Sequence, residues 1–164
     1  MNQHAVEELE QLPDDAQQWI TFRLGEGSYG VNVLNVQEVL KYTEITPVPG
    51  SQDYVLGIIN LRGYVVTVID TRIRLNMPTR EVDEESRIIF IEVRGHIIGM
   101  LVDCVTEVLS LNTSDVDRSP SINNEDQGMG GYIEGVYSDN SDILILMDVE
   151  KLFEDDELSE VAAY

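Results

Sequence analysis

Tyr29-Gly30-Val31-Asn32-Val33-Leu34-Asn35-Val36-Gln37-Glu38-Val39-Leu40 runs alongside Ile98-Gly99-Met100-Leu101-Val102-Asp103-Cys104-Val105-Thr106-Glu107-Val108-Leu109 at a constant offset, 69 residues from Gly30 to Gly99. A second pair follows at an offset of 78: Tyr54-Val55-Leu56-Gly57-Ile58 against Tyr132-Ile133-Glu134-Gly135-Val136, with Asp70 matching Asp148. The chain reads as two copies of one small β-rich unit, the second carrying a longer internal loop. Two similar lobes leave a groove between them, and neither copy holds a catalytic motif. A binding module is the reading that follows.

Around those stretches the side chains alternate. Ile20, Phe22 and Leu24 face one way and Thr21 and Arg23 the other, the pattern of a half-buried strand. Gly25–Ser28 reads as a turn, and Tyr29, Val31 and Val33 as the returning strand. Leu34–Leu40 fits either a helical turn or a further strand. Tyr54–Leu61 and Tyr64–Ile69 are apolar on both faces, which predicts central strands closing a small barrel. Asp70 is the expected N-cap of a short helix over Thr71–Leu75, and residues 76–86 the linker between copies. Copy two repeats the plan: Arg87–Val93, His96–Val102, Val105–Leu111, a polar loop Asn112–Gly131, then Tyr132–Tyr137 and Ile143–Met147. Asp148 caps a last helix whose Val149, Leu152 and Phe153 share a face. Short strands, few helices and a repeat predict a mainly β protein of two tandem β-barrels. Barrel one is expected at about 18–75 and barrel two at about 87–154, with some strand exchange possible. Residues 1–17, with a frayed helix at Ala5–Leu12, and residues 155–164 are expected as acidic tails.

At 164 residues and 43% apolar, the chain can bury a real core. Its 31 acidic and 10 basic residues give a net charge of −21, which disfavours nucleic acid and anionic membranes as partners. Six of the ten basic residues (Arg62, Arg72, Arg74, Arg80, Arg87, Arg94) fall between positions 62 and 94, an expected positive island. The single cysteine, Cys104, excludes an internal disulfide and, inside an apolar run, reads as an inert thiol. With no leader pattern and no long apolar stretch, a cytosolic protein without membrane insertion is expected.

Several motifs fail on context. Gly25-Glu26-Gly27-Ser28-Tyr29-Gly30 spells G-x-G-x-x-G, but a strand pattern follows where pyrophosphate binding needs a helix N-terminus. Asp139, Ser141 and Asp142 lack the glycine and glutamate of a calcium loop. His4 and His96 have no spaced ligand set, so no metal or other cofactor is expected. Two surfaces remain. Asn60-Leu61-Arg62-Gly63 puts a guanidinium at the tip of an otherwise apolar hairpin, as a solvated turn or as an anchor. Val36, Glu38 and Val39, with Val105, Glu107 and Val108, make a mixed strip suited to a partner helix or simply an alternating strand.

Those same residues resemble the CheW family of bacterial chemotaxis coupling proteins: Tyr29-Gly30 through Val36-Gln37-Glu38-Val39, Gly57-Ile58-Ile59-Asn60-Leu61-Arg62-Gly63 through Asp70, and their copy-two counterparts to Phe153. The resemblance covers about residues 18–154. It implies two five-stranded SH3-like barrels around a shared core, with short helices and a C-terminal helix. It also implies a non-enzymatic adaptor joining chemoreceptor cytoplasmic tips to the regulatory domain of the histidine kinase CheA, in arrays at the inner face of the membrane. Carried over by position, receptor binding falls on Val36, Glu38, Gly57, Arg62, Gly99 and Val108. Kinase binding falls on Val65, Arg118 and Ile122. A coupler of a non-flagellar pathway, a detached kinase regulatory domain or part of a longer coupling protein, and a small-molecule-binding barrel are the competing readings.

Overall fold

The alternating runs fold as strands in a computed structural model that describes residues 16–118 and 131–162. Strands β1 (Ala16–Leu24) and β2 (Gly27–Asn32) form a hairpin, and a 3-10 turn at Val33–Asn35 leads into β3 (Val36–Lys41). Two more hairpins pair β4 (Val55–Leu61) with β5 (Tyr64–Asp70), and β6 (Arg87–Val93) with β7 (His96–Val102). Strand β8 (Cys104–Asn112) stands alone in sequence before the closing hairpin of β9 (Ile133–Asp139) and β10 (Asp142–Met147). Helix α1 (Thr71–Arg74) follows β5, and α2 (Asp155–Ala162) ends the described chain.

The strands assemble as two five-stranded sheets, in the orders β8-β1-β2-β10-β9 and β3-β6-β7-β5-β4. Strand exchange is therefore complete. Each sheet takes two strands from one copy and three from the other, so the division into 18–75 and 87–154 is not how the sheets divide. The cause lies in the connections. After β2 and after β7 the chain crosses to the other sheet instead of returning, so β3 pairs with β6 and β8 with β1. Strand β4, expected in the middle, stands at the end of its sheet, where an isolated bridge between Thr46 and Ile58 covers it.

The duplication is kept residue by residue. Trp19 pairs with Asn32 and Ile88 with Leu101; Thr21 pairs with Glu107 and Phe90 with Glu38; Ile145 pairs with Tyr29 in parallel, as Thr67 does with Ile98. Even the register shifts recur, between Val36 and Glu38 in β3 and opposite Thr106 in β8. Asp70 and Asp148 play matching parts too. Each donates its backbone N–H to a tyrosine carbonyl (Tyr54, Tyr132) at 2.7 Å and caps the turn that follows with its carboxylate.

Two glycines make the barrels closable. Gly57 adopts φ +149°, and a Cβ there would lie 2.1 Å from the Thr46 carbonyl oxygen. At Gly135 a Cβ would lie 2.5 Å from Val116 and 3.1 Å from the Asp117 carbonyl oxygen. In both sheets a loop segment thus approaches the backbone, bridging Thr46 to Ile58 and Asp117 to Val136.

The apolar residues then sort by face. Trp19, Leu111, Leu144 and Leu146 fill one barrel, and Ile59, Val66, Val68, Ile88 and Phe90 fill the other. Between the sheets lies the largest core, built from Phe22, Leu24 and Val31 of one sheet and Ile89, Ile91, Val93 and Met100 of the other. Strand β6 is buried on both faces, which is why its sequence reads as an unbroken apolar run.

The C-terminal segment differs from expectation. The capped turn at Val149–Lys151 is one 3-10 turn, with Val149, Leu152 and Phe153 buried as their spacing requires. Beyond it, residues 155–162 are helix α2 and not a tail. Leu158 and Val161, three residues apart on one face, are buried in the central core. Thr67 donates from its hydroxyl to the Val161 carbonyl at 2.6 Å. Residues 16 and 17 likewise belong to β1, and the helix expected at Ala5–Leu12 lies outside the described residues. Truncating Leu158 to alanine is expected to cost about 2–4 kcal/mol in urea unfolding. A change inside about 0.5 kcal/mol would return this segment to the status of a tail.

Candidate functional site

Arg62 sits at the tip of the β4–β5 hairpin in a left-handed conformation, φ 52°, followed by Gly63 at φ 91°. Asn60 fixes the turn by accepting the Gly63 amide at 2.8 Å. From there the guanidinium donates to Glu38 on β3 at 2.8 Å. The ion pair links the two ends of one sheet across its barrel. Arg62 remains 76% exposed, so the pair contributes at most about 1 kcal/mol of stability and chiefly fixes geometry.

Of the residues carried over as receptor contacts, only Glu38 and Arg62 touch each other directly through a polar bond. Val36 is half-buried and packs on the central core, beside Val39 and Val105. Val108 is exposed on β8 of the other sheet, opposite Ile20. Gly57 and Gly99 are buried. Gly57 lets the Thr46 segment approach, and a Cβ at Gly99 would lie 2.9 Å from Ile88 and 3.1 Å from Val68. Substituting Gly57 by alanine therefore forces a backbone clash at positive φ and is expected to destabilise the chain by at least about 3 kcal/mol. Urea denaturation checks this, and a Gly57→Ala protein with unchanged stability would make the site a surface contact instead.

The residues carried over as kinase contacts divide the same way. Val65 is exposed beside Tyr64, and at the start of the adjacent β7 Ile97 is exposed as well. These three border a shallow cleft of about 250 Å³ that also includes His96 and Thr67. Arg118 faces Glu134 at 3.6 Å. Ile122 lies outside the described residues.

The expected positive island is absent as a free surface. Arg62, Arg72, Arg74, Arg80 and Arg94 each face a carboxylate, on Glu38, Asp103, Glu157, Asp83 and Glu150 respectively. Arg87 donates to the Glu84 and Ser86 carbonyls. In so acidic a chain an arginine finds a carboxylate, and the island is neutralised where it stands.

One cluster has no precursor in the sequence reading. Asp103, between β7 and β8, receives Arg72 Nε at 2.9 Å and Nη2 at 2.6 Å, a bidentate pair. It also accepts the Gly25 amide from the β1–β2 turn at 2.8 Å and Arg80 at 3.2 Å. One carboxylate so ties both sheets and the 76–86 linker at the crossing of the chain. Arg74 does the same for α2, lying over Tyr54 and Phe153 and gripping Glu157 with two bonds of 2.8 Å.

Burial pushes the Asp103 carboxyl up, but the Arg72 hydrogen bonds, the Gly25 amide and Arg80 outweigh it and hold the group below the usual carboxylate range. Glu157 is lowered too, chiefly by Arg74. A depressed folded-state pKa adds stability above the unfolded value, and that stability is lost as pH falls through the folded value. Stability is therefore expected to drop progressively below about pH 4. Asp70, raised by burial, works in the opposite sense. The Asp103→Asn variant isolates the contribution: its thermal midpoint should be lower at neutral pH and fall less steeply in acid. Parallel acid profiles would remove the role given to Asp103.

Among the described residues no cluster of three or more histidine, cysteine or acidic groups is arranged to hold a metal, and no helix is long and apolar enough to cross a membrane.

A CheW-like domain model matches residues 18–157. The chain is 31% identical over 146 residues to "Chemotaxis protein CheW" of Rhizobium meliloti, covering 89% of this chain and 93% of that protein. It is 33% identical over 135 residues to "Chemotaxis protein CheW" of Bacillus subtilis, covering 82% and 85%. Among solved structures, scaffolding protein TtCheW from Thermoanaerobacter tengcongensis superposes with a TM-score of 0.77 at 30% identity, over 86% of this chain and 94% of that one.

Proposed function

The chain belongs to the CheW family of non-enzymatic chemotaxis scaffolds, and from that premise we propose that it couples a chemoreceptor cytoplasmic tip to the regulatory domain of the histidine kinase CheA. The observation that carries this reading is the separation of two contact-ready surfaces on one body with a single central core. One we read across β3 and β8, the end strands of the two sheets, with Val36, Glu38 clasped by Arg62, and exposed Val108. It offers valine side chains and a fixed ion pair, chemistry that suits an amphipathic helical hairpin such as a receptor tip. The other is the apolar end with Tyr64, Val65 and Ile97, which suits a barrel end of like shape on the kinase domain.

A coupler does no chemistry on its partners. Its requirement is stiffness, so that a change in receptor geometry reaches the kinase as a change in relative placement. The continuous core between the sheets and the Asp103 tie supply it. Gly57 and Gly99 are buried and act only through the close packing they permit, Gly57 against Thr46 and Gly99 against Ile88 and Val68. The site of action is the cytoplasmic face of the membrane, in receptor arrays where many weak contacts act together.

Two substitutions separate the surfaces. Arg62→Ala is expected to weaken receptor co-sedimentation by roughly tenfold or more while leaving kinase binding and the thermal midpoint nearly unchanged. Val65→Asp is expected to do the reverse, weakening the kinase and sparing the receptor. Equal loss of both partners in either variant would refute the two-surface assignment.

A further inference from the structure

Because the two sheets share their registers, each residue of one barrel has a counterpart in the other, and at one place the counterparts differ in kind. In the barrel of β3–β7, Glu38 pairs across strands with Phe90, whose ring is fully buried, and Arg62 reaches Glu38 from the hairpin tip. In the other barrel, Glu107 pairs with Thr21, and the tip residue is Asn140. Asn140 keeps the left-handed backbone of Arg62, φ 56° against 52°. The turn is the same; the guanidinium is gone.

Two consequences follow. A threonine where a phenyl ring stands opposite leaves room, and the mouth of this barrel opens as a cleft of about 220 Å³ lined from all five strands. The carboxylate that would receive an arginine is left without one. Among the described residues Glu107 forms no ion pair, and neither do Asp139 and Asp142 on either side of the tip. The cation at the rim, Arg23, donates to the Glu26 carbonyl at 3.3 Å. Tyr137 and Ile143 complete the wall with apolar surface.

We infer that this mouth is a socket for one cationic side chain, an arginine or lysine carried by a partner protein, in the seat that Arg62 occupies within the chain on the other barrel. The carboxylates answer the charge, and the apolar wall takes the methylene stem. In the twin barrel a guanidinium at the hairpin tip reaches Glu38, the counterpart of Glu107, at 2.8 Å. The socket shares β8 with the strip, Glu107 adjoining Val108, but opens at the mouth of its own barrel and is separate from the Tyr64–Ile97 end.

The test is an amide-shift titration of the labelled full-length chain with N-acetyl-arginine amide, against the neutral isostere N-acetyl-citrulline amide. Saturable shifts at Thr21, Ser28, Glu107 and Ile143 are expected with the arginine compound alone. Glu107→Gln should weaken them about tenfold. Asn140→Arg, which supplies the cation from the chain itself, should abolish them and leave a folded protein. Absence of saturable shifts at the mouth, equal shifts with citrulline, or undiminished binding by Asn140→Arg would each overturn the proposal.

Discussion

Each sheet draws two strands from one half of the chain and three from the other, so neither half can satisfy its backbone hydrogen bonds alone. This constraint governs the rest of the molecule. Since β1 needs β8 and β3 needs β6, both barrels must close together, and the faces they turn toward each other become one core. The chain crosses between sheets at two places, the turn at Val33–Asn35 and the residue Asp103, and the second is where the strongest charge cluster sits. A carboxylate held by a bidentate arginine and a backbone amide fixes the crossing in a way that apolar contact, being non-directional, does not.

The same constraint explains how a repeated unit yields unlike surfaces. The frame leaves little room for variation, because the registers, the bulges and the approach glycines are shared. Variation falls on the rims, where a side chain can change without disturbing a ladder. Arg62 becomes Asn140, Phe90 becomes Thr21, and Tyr64 with Val65 become Asp142 with Ile143. One barrel thus presents a clasped, apolar rim and the other an open, acidic one. For a scaffold, such a division gives several partners separate seats on a single stiff body.

Much of this was legible in the sequence, and what was not has physical reasons. The repeat, the strand positions other than that of β3, the caps at Asp70 and Asp148 and the hairpin tip at Arg62 were readable, because each rests on local periodicity or turn chemistry. The extent of strand exchange, allowed for but not specified, was not, because alternation tells which residues share a face and is silent on which strand lies alongside. Gly57 and Gly99 came forward as receptor contacts by resemblance; what the resemblance did not carry is that both are buried and that their missing side chains permit close approach inside the fold. Leu158 and Val161 were hidden by the acidic residues around them, although their spacing by three marks one helical face. Asp103 left a signal that went unused. Its counterpart in the first copy is Leu34, which is 88% exposed, and a carboxylate at one such position and not the other marks a place where the two copies do different work.

The central claim is that one rigid body holds a receptor tip and a kinase domain at the same time, through separate faces. Analytical ultracentrifugation of the full chain with a receptor-tip fragment and the CheA regulatory domain tests it directly. The account predicts a ternary species with one copy of each component, formed in either order of addition. Displacement of one partner by the other, with only binary complexes at saturation, would contradict it.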